Sequence, residues 1–202
     1  MDQKMWGKYG WATIYHVAAT YDANHRPVHE FCKVLTQFRA ILPCGKCRQN
    51  MERWMKTDLS IHLEWFGDDM TAVDLVTTLQ TSVVDHVRRI EDRTPTTPGQ
   101  TMDILNGLDT NEWYTQVVLF VLYSAWNSSE YKPNGTISAL WLKLFSAFVD
   151  SAGTRWMTSI GTIVHGSTTF YEILTRFRGF LNPPAVIKLM EEATVSRRTM
   201  VI

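Results

Sequence analysis

Residues 42–51 read LPCGKCRQNM, and this stretch decides how the rest of the chain is understood. Before it, Phe31, Val34, Leu35, Phe38, Ile41 and Leu42 recur at helical spacing, and Pro43 ends that pattern because proline cannot continue a helix from within. After it, Cys44 and Cys47 open a further helical pattern through Met51, Trp54 and Met55. A C-x-x-C therefore sits between two helices. No stretch of the chain alternates apolar and polar residues over a convincing strand length, so the spacing predicts an all-α protein. A thioredoxin-type site, whose C-x-x-C follows a β-strand, is disfavoured.

Working outward, Trp6 to Tyr21 is expected as a helix of about four turns, ended by Asp22-Ala23-Asn24. The second helix follows Pro27 and the third starts at Cys44. Asp58 to Asp69 reads as a loop or short turn, and Met70 to Ile90 as a fourth helix on Val73, Val76, Leu79, Val83, Val84 and Val87. Arg93 to Gln100, RTPTTPGQ, holds two prolines and a glycine without apolar period and reads as a linker. The expected organisation is a bundle over 1–95, a linker over 96–110 and a second helical part over 111–202. Helices are expected there at Glu112–Trp126, Ile137–Val149 and Ser167–Leu181, with Asn182-Pro183-Pro184 breaking the last and SRRTMVI as a frayed tail.

The chain has 202 residues, enough for one domain or two small ones. Its 20 basic and 20 acidic residues cancel, which argues against a nucleic-acid partner, since phosphate binding needs excess Lys and Arg. The longest apolar run, Val117 to Trp126, is interrupted and too short to span a bilayer. The start, MDQKMWGKYG, lacks the apolar core of a signal peptide, so a cytoplasmic location is expected. Three cysteines are too few for a disulfide framework.

A C-x-x-C in such a chain is a redox dithiol, half of a zinc site or a coincidence within a helix. At a helix N-terminus the unpaired backbone N–H groups stabilise a thiolate, and Lys46 and Arg48 add positive charge. The two-residue spacer lets the partner sulfur close a ring. The zinc reading would recruit His25, His29 and Cys32.

Taken together, WGKYGWATIYHVAATYD and LPCGKCRQNM resemble the Erv/ALR family of FAD-linked sulfhydryl oxidases, particularly members from large DNA viruses. Gly7, Lys8, Trp11, His16, Ala19, Tyr21, Pro43, Cys44 and Cys47 match the family pattern in order. The resemblance implies a small helical bundle that holds FAD against the C-x-x-C, takes electrons from substrate dithiols and passes them to dioxygen, giving hydrogen peroxide. It implies Cys44 as the cysteine attacked by substrate and Cys47 as the flavin-proximal one. Trp11, His16 and Tyr21 would wall the flavin, joined by Gly7 and Lys8. The family's H-N-x-V-N motif aligns with Thr81 to Asp85, retaining the valine and an Asn-to-Asp change at Asp85, and Arg88 and Arg89 are candidates for the pyrophosphate. Two departures stand out. Trp11 and His16 are five residues apart instead of the usual four, which asks for a displaced residue or a π-type bulge. The family's second structural disulfide has no counterpart, because Cys32 is the only other cysteine.

Each position also has a plainer reading. Trp11 and Tyr21 suit an ordinary core, His16 a buried structural histidine, Cys32 a buried free thiol, and Arg88 and Arg89 the dipole-favoured end of a helix. The second part aligns with the first at a shift of 102, pairing Trp11 with Trp113 and Tyr21 with Tyr123. A shift of 107 pairs Phe38 with Phe145 and sets Cys44–Arg48 against Ser151–Arg155. The expectation is a degenerate copy without a redox centre, serving as an internal dimer partner; a homodimer is the other expected assembly. The expected function is an FAD-dependent thiol oxidase acting on protein dithiols, with virion proteins as candidate substrates. The alternative is a non-enzymatic helical interaction module whose C-x-x-C is structural or binds zinc.

Overall fold

Prolines set the limits of the second helix. Pro27 and Leu42, which flank it, both stand in extended conformation, and Pro43 follows, so the chain turns sharply at either end. In the computed structural model, residues 3–66, 69–91, 95–130 and 135–177 are described. Among them the order is α1 (Gln3–Ala23), α2 (Val28–Ile41), α3 (Gly45–Phe66), α4 (Ala72–Glu91), α5 (Pro98–Asn106), α6 (Thr110–Glu130), α7 (Ala139–Ala152), α8 (Arg155–His165) and α9 (Phe170–Phe177). The protein is all-α, as the periodicity predicts. No strand occurs among the described residues; an isolated antiparallel bridge joins Thr136 to Thr169.

Four local expectations are corrected. The loop expected over Asp58 to Asp69 is helical as far as Phe66, because no proline or glycine interrupts the sequence between Gly45 and Gly67 and Met51, Trp54 and Leu59 keep one face buried. The linker stretch contains the start of α5, where Thr97 and Gln100 form a reciprocal capping box and Pro98 occupies the first turn. A helix not anticipated, α8, buries Met157, Ile160, Gly161 and Val164. Gly161 permits its close approach to α7, since a Cβ there would lie 3.0 Å from the Val149 side chain. The last helix starts at Phe170, three residues after the expected start; the break at 182–184 and the tail lie outside the described residues.

The packing repeats itself. α4 lies on α1 and α3, and α3 on α2; correspondingly, α9 lies on α6 and α8, and α8 on α7. The two four-helix sets meet through like members, α1 against α6 and α2 against α7, as in a two-fold pair. Phe38 of α2 sits between Phe120 of α6 and Phe148 of α7, with ring centroids 5.3 and 5.7 Å away. One hydrophobic core accordingly takes residues from both sides of the stretch read as a linker. In this arrangement Thr154, which stands at the N-cap position of α8 without a side-chain capping hydrogen bond, takes the place of Cys44 ahead of α3, so the helices put Thr154 opposite Cys44 where the sequence shift of 107 had put Ser151.

Two polar ties fix the helices of the first set. Asp22, at the end of α1, accepts the backbone N–H groups of Ala72 and Val73 at 2.7 and 3.0 Å, capping α4 from a distance of 50 residues in sequence. Arg26 donates to the Ser151 carbonyl at 2.8 Å, tying the α1–α2 turn to the end of α7.

Candidate functional site

Cys44 immediately precedes α3, and Cys47 lies in its first turn. The two are joined as a disulfide with Cα atoms 5.2 Å apart. The Cys47 backbone N–H donates to the Cys44 sulfur at 3.2 Å and that of Arg48 to the Cys44 carbonyl at 3.0 Å, so sulfur takes the acceptor role that a serine oxygen has at a helix N-cap. The Arg48 guanidinium donates to the Leu42 carbonyl, closing the corner around Pro43.

Cys47 forms part of the wall of a narrow apolar slot of about 80 Å³, bounded by Gly7, Trp11, Phe38, Met51 and Val83 among others. A larger chamber of about 510 Å³ lies beside it between α1, α4, α5 and α6, and the two share Gly7, Trp11, Val83 and Val87 as wall residues. Gly7 matters here because a Cβ at this position would meet nothing within 4 Å, leaving bare helix backbone toward the cavity. The chamber is more polar. Its wall includes Lys8, Thr101, Gln116 and Gln80. The Gln80 amide donates to Thr101 Oγ1 at 2.7 Å and to the Thr96 carbonyl at 3.3 Å, while its Oε1 is buried without a protein partner. An unmet buried acceptor in a cavity wall calls for a donor from outside the chain.

Of the residues singled out in the sequence, Gly7, Lys8, Trp11 and Cys47 come together around this cleft, and Cys44, disulfide-bonded to Cys47, does not line it. Nor do the others. The His16 ring lies 5.2 Å from that of Trp113 and 4.5 Å from that of Trp156, with Nε2 buried and unpartnered, and burial pushes its pKa down to about 4. α1 runs through as α-helix, so the five-residue spacing turns Trp11 and His16 to different faces and no π-bulge restores them to one. Tyr21 is buried against Phe31 and under the Arg26 guanidinium, and its hydroxyl donates to Glu30 at 3.3 Å. Asp85, Arg88 and Arg89 are exposed on α4, and Arg89 Nε donates back to the Asp85 carbonyl at 3.1 Å.

The face of α4 that meets the cleft carries Leu79, Gln80, Val83, Val84 and Val87. Extending the helical period from Val83 backward to Gln80 and forward to Val87 would have found it; the motif alignment drew attention to Asp85 instead. Trp6, Gly10 and Asn50 also border the slot and gave no separate signal. Cys32 is a half-buried free thiol, its pKa raised by burial. Among the described residues no group of three His, Cys, Asp or Glu side chains is arranged to hold a metal, so His25, His29 and Cys32 do not gather into a ligand set. No described helix is long and apolar enough to cross a membrane. Compared with protein-family models, curated proteins and solved structures, the chain has no match in any of the three.

Proposed function

We propose that this chain is an FAD-linked thiol oxidase that converts protein dithiols to disulfides. The observation that carries the reading is the division of the Cys44–Cys47 pair: Cys47 forms part of the wall of an apolar, aromatic slot, whereas Cys44 does not border it. Cys47 thus borders the site for a flat group inside the protein, which leaves Cys44, half-buried and outside that wall, as the sulfur for an incoming thiol. The apolar slot and the more polar chamber beside it offer a planar ring with a polar tail the two kinds of wall it needs, the slot having to widen to admit a fused ring system. Gly7, Trp11 and Val83 would hold the ring, and Lys8, Gln80, Thr101 and Gln116 the tail; the unmet Gln80 acceptor supports a ligand with N–H or O–H donors there.

The chain's own chemistry is thiol–disulfide exchange. A substrate thiolate attacks the Cys44 sulfur, the Cys44–Cys47 bond breaks, and Cys47 leaves as a thiolate. The second substrate thiol then attacks the mixed disulfide, forming the substrate disulfide and releasing Cys44. Two electrons and two protons have moved from substrate to the cysteine pair. Bound flavin would supply the two-electron acceptor that restores the pair and passes the electrons to dioxygen, giving hydrogen peroxide. Such an activity has a use in the cytosol, including for virion proteins assembled there, because that compartment keeps thiols reduced. The second four-helix set, whose neighbours repeat those of the first, takes the role of an internal partner in this reading.

The test is the visible flavin spectrum of the purified protein, together with oxygen consumption on dithiothreitol. A yellow protein is expected. Cys44→Ser and Cys47→Ser are each expected to abolish oxygen consumption, with flavin retained in the latter. Full activity in either variant would overturn the mechanism, and a colourless protein that consumes no oxygen would favour an interaction module with a structural disulfide.

A further inference from the structure

The charges of the α3–α4 pair are strongly segregated. From Cys44 to Thr57 the sequence holds Lys46, Arg48, Arg53 and Lys56 against the one carboxylate of Glu52, whereas from Thr57 to Val87 there is no Lys or Arg and there are six carboxylates. Arg53 approaches His86 of α4 at 3.4 Å, which brings the end of α4, with exposed Arg88 and Arg89, alongside the disulfide end of α3. Glu52 is shared between Lys56 at 2.8 Å and Arg39 at 2.9 Å; with Asp85 and Glu91, which flank Arg88 and Arg89 on α4, it makes three carboxylates against the seven cations Arg39, Lys46, Arg48, Arg53, Lys56, Arg88 and Arg89. For α4 this placement suits the helix dipole. For α3 it opposes it: no acidic residue lies in the first turn and no basic residue in the last, the reverse of what the backbone dipole favours. Helix stability therefore does not account for the pattern. In a chain with no net charge, this local basic excess begins at the disulfide and runs along α3 from it.

We infer that this cationic collar recruits acidic polypeptide segments carrying the thiols to be oxidised. The inference rests on the thiol-oxidase reading. A protein partner is favoured over a nucleic acid because the group at the head of the collar reacts with thiols. Exchange balances as one peptide dithiol and the Cys44–Cys47 disulfide giving one peptide disulfide and two protein thiols. Acidic flanks raise the local concentration of substrate at Cys44 and so act on the second-order rate.

The experiment measures that exchange alone, with the full-length oxidised protein and two peptides sharing a Cys-Gly-Gly-Cys centre, one flanked by glutamates and one by lysines. Each rate is divided by the same peptide's rate with neutral bis(2-hydroxyethyl) disulfide, which cancels differences in thiol reactivity. The expected result is that the glutamate peptide reduces the protein at least about tenfold faster at low salt, and that the gap closes toward unity near 1 M KCl. Arg53→Glu combined with Lys56→Glu should shrink the gap and speed the lysine peptide while leaving exchange with dithiothreitol unchanged. Equal normalised rates for the two peptides would overturn the inference, as would a DNA duplex that binds the collar while the glutamate peptide shows no advantage. Because exchange needs neither flavin nor oxygen, this failure is distinguishable from that of the oxidase reading, which is judged by colour and oxygen consumption.

Discussion

The backbone N–H of Cys47 points at the sulfur of Cys44 over 3.2 Å, closing the first turn of α3 as an N-cap oxygen would. On reduction the same N–H, together with the positive end of the α3 dipole, favours a thiolate at Cys44. At Cys32 burial outweighs a backbone hydrogen bond that acts the other way, and the net effect pushes its pKa up. In fully reduced protein, iodoacetamide at neutral pH should therefore label Cys44 at least about tenfold faster than Cys32. Peptide mapping by mass spectrometry after short exposures checks the order. Faster labelling of Cys32 would contradict the geometry.

A side chain at Gly7 would enter the cleft, because a Cβ there meets nothing within 4 Å and the position borders both slot and chamber. Gly7→Leu should leave the fold intact, and even favour α1 through the better helix propensity of leucine by about 0.5–1 kcal/mol. On the thiol-oxidase proposal it should nonetheless lower the flavin content of the purified protein at least about tenfold, equivalent to about 1.4 kcal/mol of binding. Flavin-to-protein absorbance ratio and thermal melting, measured side by side, separate the two effects.

His16 is half-buried between Trp113 and Trp156, and burial holds its pKa at about 4. The depressed value fixes the sign. Above the unfolded value of 6.5 the imidazole is neutral in both states; as pH falls from 6.5 toward 4 the unfolded chain takes up a proton that the folded protein does not, so folding stability drops through that window and levels off below it. Since the ring is partly screened by solvent, the loss should be about 1–3 kcal/mol. Urea midpoints at pH 7 and pH 4.5 for the wild type and His16→Phe check this: the variant should lose less on acidification.

The four helices of the first set were legible because Phe31–Leu42 and Val73–Val87 carry an unbroken apolar period and Pro43 marks a sharp corner. The extension of α3 past Thr57 was not, since Asp58, Ser60, His62 and Glu64 interrupt the 3.6-residue apolar period; burial of Leu59 against the core decides the matter. α8 was hidden by composition. Its threonines, serine and Gly161 are weak helix formers, and packing on α7 supplies what propensity lacks. At the site, Gly7, Trp11 and Cys47 were found from their order along the chain. His16 and Tyr21 were grouped with them by the same order, but the facing of a helix depends on spacing modulo 3.6, and order alone does not encode it. Gln80 was missed because an amide amid threonines has no distinctive signature until α5 covers it.

Asp22 links these layers, since one carboxylate at the end of α1 accepts the N–H groups of Ala72 and Val73 and so anchors the helix that lines the cleft. Asp22→Ala leaves two donors at the α4 N-terminus without their partner and removes a negative charge from the positive end of the dipole. A loss of about 1–2 kcal/mol in stability is expected, read as a lower urea midpoint. Because α4 carries Leu79, Val83 and Val87 into the slot wall, its fraying should also loosen the cleft, so flavin content should fall in parallel with stability. Asp22→Asn tests the division between charge and hydrogen bonding: the amide oxygen still accepts one N–H, so the variant should fall between wild type and alanine. If Asp22→Asn and Asp22→Ala are equally destabilised, the negative charge at the helix end is what matters, and if both melt like wild type, the cap contributes nothing to holding α4 against α1.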